Sequence, residues 1–129
     1  MDAQQLVAAM PYAERLGMTV TRADPEHVEA TLAWSPDLCT TAELVHGGAL
    51  MTLADSLGAI CAFLNLPERA TTSTIESKTN FLRGVREGEL TAVASPLHVG
   101  RRTIVIQTEV RDGRGKLVTL TTQTQAVIT

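Results

Sequence analysis

The chain has 129 residues, 44% hydrophobic, 3% aromatic and 19% charged, with a formal net charge of −3. That length suits one domain spanning 1–129 with a core that needs no staples. The absence of any long basic run or basic–aromatic interleaving argues against nucleic acid as a partner, and the N-terminus lacks the basic start and apolar run of a signal peptide.

Gln4 to Met10 reads as a short helix, with Asp2 near its start and Pro11 after its end. Leu16 to Arg22 is a weak strand, Ala23 to Glu26 a turn, and His27 to Trp34 a half-buried strand with Val28, Ala30, Leu32 and Trp34 on one face. Ser35 to Val45 is a loop. A long helix follows, stopped by Asn65 and Pro67. Thr71 to Arg83, Leu90 to Val99, Thr103 to Arg111 and Leu117 to Ile128 read as strands. They are joined by a turn at Gly84–Gly88, a joint at Gly100 and a hairpin at Asp112–Gly115. Strands, one long helix, then four consecutive strands make an α+β protein with a mainly antiparallel sheet. The apolar stretch Ala49 to Leu66 is interrupted by Thr52, Asp55, Ser56 and Asn65, so it is a poor membrane span. Cys39 and Cys61 have no metal-like spacing, which fits a reducing, cytoplasmic compartment.

The long helix holds a puzzle. Leu50, Leu53, Leu57, Ile60 and Leu64 form an apolar stripe at spacings of three and four. The opposite face carries Gly48, Met51, Thr52, Ala59 and Ala62, small or apolar residues around one carboxylate, Asp55. Such a face invites cover by a second subunit or a ligand, and a carboxylate there costs free energy unless it is paired or hydrogen-bonded. Two structural readings stand beside a functional one: Asp55-Ser56 caps a second helix after a break at Ala54, or Asp55 pairs with an arginine.

His46-Gly47-Gly48 runs straight into this helix. Two glycines permit a sharp turn and close ligand approach. The first amides of a helix lack internal partners and can polarise a carbonyl. Gly47 and Asp55 are roughly 12 Å apart along a helix, whereas groups acting on one carbonyl must lie within about 3 Å of it. If both serve one reaction, they come from two copies of the chain, as an obligate homodimer with two shared sites.

VHGGALMTLADSLGA resembles the signature of the hotdog-fold acyl-CoA thioesterases, in the phenylacetate-pathway (PaaI-like) branch near the 4-hydroxybenzoyl-CoA thioesterases. The early LGM strand, the HGG…LAD helix, the NFLR strand, the PLHVGRR turn and the Thr-rich last strand follow in the family's order. The resemblance implies a curved antiparallel sheet wrapped around one long helix, in homodimers that commonly pair again into tetramers. It implies Asp55 as general base or nucleophile on the thioester, the Gly47 amide of the other subunit polarising the carbonyl, and His46 shaping or binding that carbonyl. Substrate contacts are implied at Thr40, Gly48, Met51, Ala59 and Phe81. Coenzyme A enters as part of the substrate, and no cofactor is expected. Many relatives carry Asn or Gln at the position of Thr40, and some carry Ser or Thr at Ala59, so Asp55 is expected to have fewer side-chain helpers here.

Arg83, Arg86, Arg101 and Arg102 cluster at two turns. Arginine suits phosphate, and in the family the loop matching Gly100-Arg101-Arg102 and the stretch after NFLR lie near the nucleotide of CoA. Arg83, Gly100, Arg101 and Arg102 are therefore the expected CoA contacts. Ser56 lacks a G-x-S-x-G context and Cys39 has only His46 near it in sequence, so neither is favoured as nucleophile. His46 and Asp55 lack a third ligand, so no metal is expected. His27 reads as a solvent-facing strand residue, and His98 as a turn histidine that is structural or lines a site. The reading that results is acyl-CoA hydrolysis. Its rivals are a non-catalytic acyl-CoA-binding protein and an enoyl-CoA hydratase.

Overall fold

The computed structural model describes Asp2 to Thr129. Its N-terminus holds two short helices where the sequence suggests one. Helix α1, Ala3–Ala8, is capped reciprocally by Asp2 and Gln5. Helix α2, Pro11–Leu16, begins at the proline expected to end a helix. Proline has no N–H to lose at a first helical position, so the same residue that stops one helix starts the next. Gly17, at φ 95°, ends α2, and Leu16 therefore belongs to a helix rather than a strand.

Strands β1, Thr19–Asp24, and β2, His27–Ala33, form a hairpin closed by Pro25-Glu26. Val28, Ala30 and Leu32 are buried on the inner face of β2, as the alternation requires. Two short 3-10 turns, Pro36–Leu38 and Thr41–Glu43, then lead to helix α3, Gly47–Leu64. Strands β3, Thr71–Phe81, β4, Glu89–Val99, β5, Thr103–Arg111, and β6, Leu117–Ile128, complete one antiparallel sheet of order β1-β2-β4-β5-β6-β3. Strand β3 stops at Phe81, two residues short of the expected Arg83.

The sheet curves around α3, which touches all six strands. This is the hotdog arrangement. Leu50, Leu53, Leu57 and Ile60 are at most 4% exposed, and each contributes about 1.5–3 kcal/mol by leaving water. By length and hydropathy α3 is also apolar enough to cross a membrane, but that apolar side is spent on the sheet. Truncating Leu53 to alanine would cost about 2–5 kcal/mol. The helix is unbroken, so Asp55 does not cap a second one. The core thus fixes Gly47 and Asp55 on a single rigid rod.

Candidate active site

At the start of α3, His46 is the N-cap, and its Nδ1 accepts the Gly48 N–H at 2.8 Å. The Ala49 and Leu50 N–H groups both donate to the His46 carbonyl, at 2.9 and 3.2 Å. The Leu50 bond is the first regular one of the helix. Of the four amides before it that a helix start leaves open, Gly48 and Ala49 are taken by His46, and the His46 N–H donates to the Leu38 carbonyl at 2.8 Å. The Gly47 N–H has no acceptor among the described residues. Because Nδ1 accepts, the neutral imidazole carries its proton on Nε2 and presents it as a second donor. The Phe81 ring lies against Gly47, where a Cβ would come 3.2 Å from Cε1. A glycine here lets an aromatic wall and an open amide sit together.

Two turns further on, Asp55 is exposed, and its Oδ1 accepts two hydrogen bonds. One comes from the Thr74 hydroxyl at 3.2 Å, the other from Gln123 Nε2 at 3.1 Å. Gln125 Nε2 donates in turn to Thr74 Oγ1 at 2.7 Å, and the Thr72 hydroxyl lies 3.0 Å from Gln125 Oε1. No ion pair involves Asp55 among the described residues. These donors come from the strands and not from Thr40 or Ala59, the two positions singled out in the sequence. Thr40 is exposed and makes no side-chain cap, and Ala59 has no polar atom, but β3 and β6 supply three polar side chains that the sequence reading missed. The missed signal was legible: period-2 alternation in TTQTQ puts Gln123 and Gln125 on the inner face of β6, where polar residues are unexpected.

The rest of the Asp55 face is largely open. Met51 is 41% exposed, Gly48 is exposed, and the Thr52 hydroxyl donates to the Gly48 carbonyl at 2.9 Å; Ala62, by contrast, is buried. Beside this face, between α1 and α3, an apolar cavity of about 230 Å³ is lined by Leu6, Ala9, Met10, Ala59, Ile60, Phe63 and Thr72. A second cavity, of about 620 Å³, opens at His46 toward Tyr12, Arg15 and Asp37.

The arginines are not brought together within one chain. Arg83 Nε donates to Leu117 O, and Arg102 O accepts from Val127 N. Leu117 and Val127 are separated by nearly the whole of β6, roughly 33 Å at 3.3 Å per residue. Arg86 is tied to the Ala42 carbonyl. Arg101 is exposed on the β4–β5 turn, where the His98 ring packs over Gly100. His27 is half-buried and paired with Glu29 at 3.1 Å rather than facing solvent freely. Ser56 is buried in the helix. The thiol of Cys39 contacts the Ser35 and Glu43 carbonyls, and burial pushes the Cys61 thiol up to about 11. Among the described residues, no three His, Cys, Asp or Glu side chains converge as a metal site would need.

A helix-start amide left open, an exposed carboxylate on the same rod and a hotdog sheet define a thioesterase-like protein, and comparison with known proteins agrees. The sequence profile of the Thioesterase superfamily matches residues 42–119, so the chain belongs to that superfamily and is a thioester hydrolase. Among its relatives is the 1,4-dihydroxy-2-naphthoyl-CoA hydrolase of Escherichia coli, 35% identical over 66% of this chain and 62% of that protein. A crystallised thioesterase of Pseudomonas aeruginosa superposes with a TM-score of 0.92 at 31% identity, covering 99% of this chain and 94% of that one. A thioesterase structure from Haemophilus influenzae gives 0.89 at 30% identity, covering 96% and 86%.

Proposed function

We propose that the protein hydrolyses an acyl-CoA, with an aryl or medium-chain acyl group, to the free acid and CoA. Asp55 acts as general base on water or as nucleophile. The Gly47 amide of the partner subunit polarises the thioester carbonyl, with His46 Nε2–H beside it. The observation that carries this reading is the unsatisfied Gly47 amide on the same helix as Asp55 but roughly 12 Å away, too far for both to serve one carbonyl. No cofactor is required, and the free thiols Cys39 and Cys61 suit a cytoplasmic protein.

The edge of the sheet supports the shared site. Strand β3 is a long edge strand, bonded only to β6, and it leaves Ile75 and Phe81 more than half exposed. Such an edge is a template for another strand. In antiparallel self-pairing about Ser77, Glu76 faces the partner's Lys78, which matches opposite charges twice. The same register sets Thr74, and with it Asp55, beside the partner's Asn80 and Phe81, hence near the partner's Gly47. It also brings Arg83 to the end of the sheet where the partner's Arg101 and Arg102 lie, so that the two arginine groups meet one nucleotide. The apolar cavity beside Ala59 suits an apolar acyl group, and the Escherichia coli relative's name speaks for a CoA thioester.

Free-thiol release from a panel of acyl-CoAs tests the proposal. Asp55→Asn should fold and assemble normally yet lose about 10²–10⁴ in rate, as removal of a general base does. Near-wild-type turnover by a well-folded Asp55→Asn protein would remove Asp55 from the mechanism. Tight acyl-CoA binding without thiol release would favour the non-catalytic reading.

A further inference from the structure

The side chains behind Asp55 do more than satisfy it. Both of its donors, Thr74 Oγ1 and Gln123 Nε2, reach the same oxygen, Oδ1. No donor reaches Oδ2 among the described residues. We propose that Gln123, Thr74 and Gln125 are positioning residues: they pin Oδ1 of Asp55 and hold Oδ2 forward as the oxygen that meets water or the thioester. This rests on the assignment of Asp55 above and adds which of its oxygens reacts, and why.

Gln123 is fully buried. Its amide lies where a side chain at position 58 would be: a Cβ on Gly58 would fall 1.8 Å from Oε1 and 2.5 Å from Cδ. The glycine in the helix thus makes the slot that admits the amide. Oε1 is buried and has no hydrogen-bond partner, which is costly in a packed interior. The opposite flip is worse, because it turns the oxygen toward a carboxylate and leaves the NH₂ facing the helix without an acceptor. The unpaired oxygen is the consequence of aiming the NH₂ at Asp55.

The second donor is aimed in the same way. A hydroxyl has one proton to give. Gln125 Nε2 donates into Thr74 Oγ1, so that proton is left for Asp55. The Thr72 hydroxyl lies 3.0 Å from Gln125 Oε1 and 2.8 Å from the Ala126 carbonyl, so its one proton has two acceptors within reach. Donors therefore run one way, from β3 and β6 onto Oδ1. Rotation about the last bond of Asp55 would exchange its two oxygens, and this chain opposes that rotation. Holding a reacting atom in line acts on the chemical step. Gln123 lies beneath the carboxylate, away from the open face, so it affects turnover without touching substrate.

Thr74→Val removes the hydroxyl at nearly constant volume, Thr74→Ser keeps it, and Gln123→Met removes the amide while filling the slot. Steady-state hydrolysis by the full-length protein should show kcat reduced roughly ten- to a hundredfold in Thr74→Val and Gln123→Met, the scale of one lost hydrogen bond to a charged group. KM should hardly change, and Thr74→Ser should recover most of the loss. In an Asp55→Asn background neither substitution should lower the residual rate further, because the groups act only through that carboxylate. If Asp55→Asn is inactive but Thr74→Val keeps wild-type kcat, the positioning role is wrong while the role of Asp55 stands. If the two substitutions slow the Asp55→Asn protein as much as the wild type, they are structural, and the proposal fails. Thr74→Val carries the test alone should Gln123→Met not fold.

Discussion

The shared site can be tested by mixing two broken proteins. Gly47→Pro deletes the open amide, since proline has no N–H. The structure indicates that the chain tolerates it: Gly47 is the first residue of α3, where proline is accepted, and His46 at ψ 135° already has the extended conformation that a following proline demands. The added ring must displace Phe81 Cε1, 3.2 Å from the Cβ position, by a few tenths of an ångström. Loss of one oxyanion donor costs about 10²–10³ in rate, and Asp55→Asn costs about 10²–10⁴, so each pure dimer should run at about 1% of wild type or less. Unfolding and refolding the two together forms mixed dimers. Each of these has one site carrying both lesions and one carrying neither. Random pairing makes half the dimers mixed with one intact site of two, so activity should return to about a quarter of wild type. That is at least about 25-fold above the parents. The readout is thiol release from an acyl-CoA, with differently tagged chains co-purified to show that mixed dimers are present. If mixed dimers are present and activity stays at the parental level, Gly47 and Asp55 of one chain serve the same site, and the distance argument is refuted.

Arg101→Ala with Arg102→Ala should raise KM for acyl-CoA more than it lowers kcat, because phosphate contacts are felt in ground and transition states alike; an equal loss on an acyl-pantetheine thioester, which lacks the nucleotide, would show that these arginines act elsewhere. Gly58→Ala drives a Cβ into the Gln123 amide and should destabilise by about 1–3 kcal/mol. Adding Gln123→Ala should restore part of that in thermal melts, and no relief in the double variant would mean the clash is taken up elsewhere. Burial raises the Cys61 thiol to about 11, above its value of about 8.5 in an unfolded chain. Its contribution to stability is therefore full below about pH 8.5 and lost as pH climbs toward 11. Denaturant titrations at about pH 8 and about pH 10.5 should show a loss in wild type that is smaller in Cys61→Ala.

The periodicity of the chain was enough to read most of the strands, the long helix and the two ends of the candidate site. The alternation in β2 and the three–four spacing in α3 are properties of the chain's own periods, and burial only ratified them. His46, Gly47 and Asp55 were legible because a helix spaces its residues at a fixed rise, so their separation could be known before any fold. Local chemistry with two outcomes was not legible. Pro11 stops one helix and starts another, and only the docking of α2 beside α3 decides between them. The alternation in β6 marks Gln123 and Gln125 as inward polar residues, but not that Gln123 and Thr74 would meet Asp55. Thr74 and Gln123 lie 19 and 68 residues away from it, and nothing in the sequence states which strand passes that face of the helix. The separation of Arg83 from Arg101 and Arg102 has the same origin, for it depends on the antiparallel run of β6 from Leu117 to Val127. Spacing along one element is fixed by covalent geometry, whereas contact between elements is fixed only when the sheet closes around the helix.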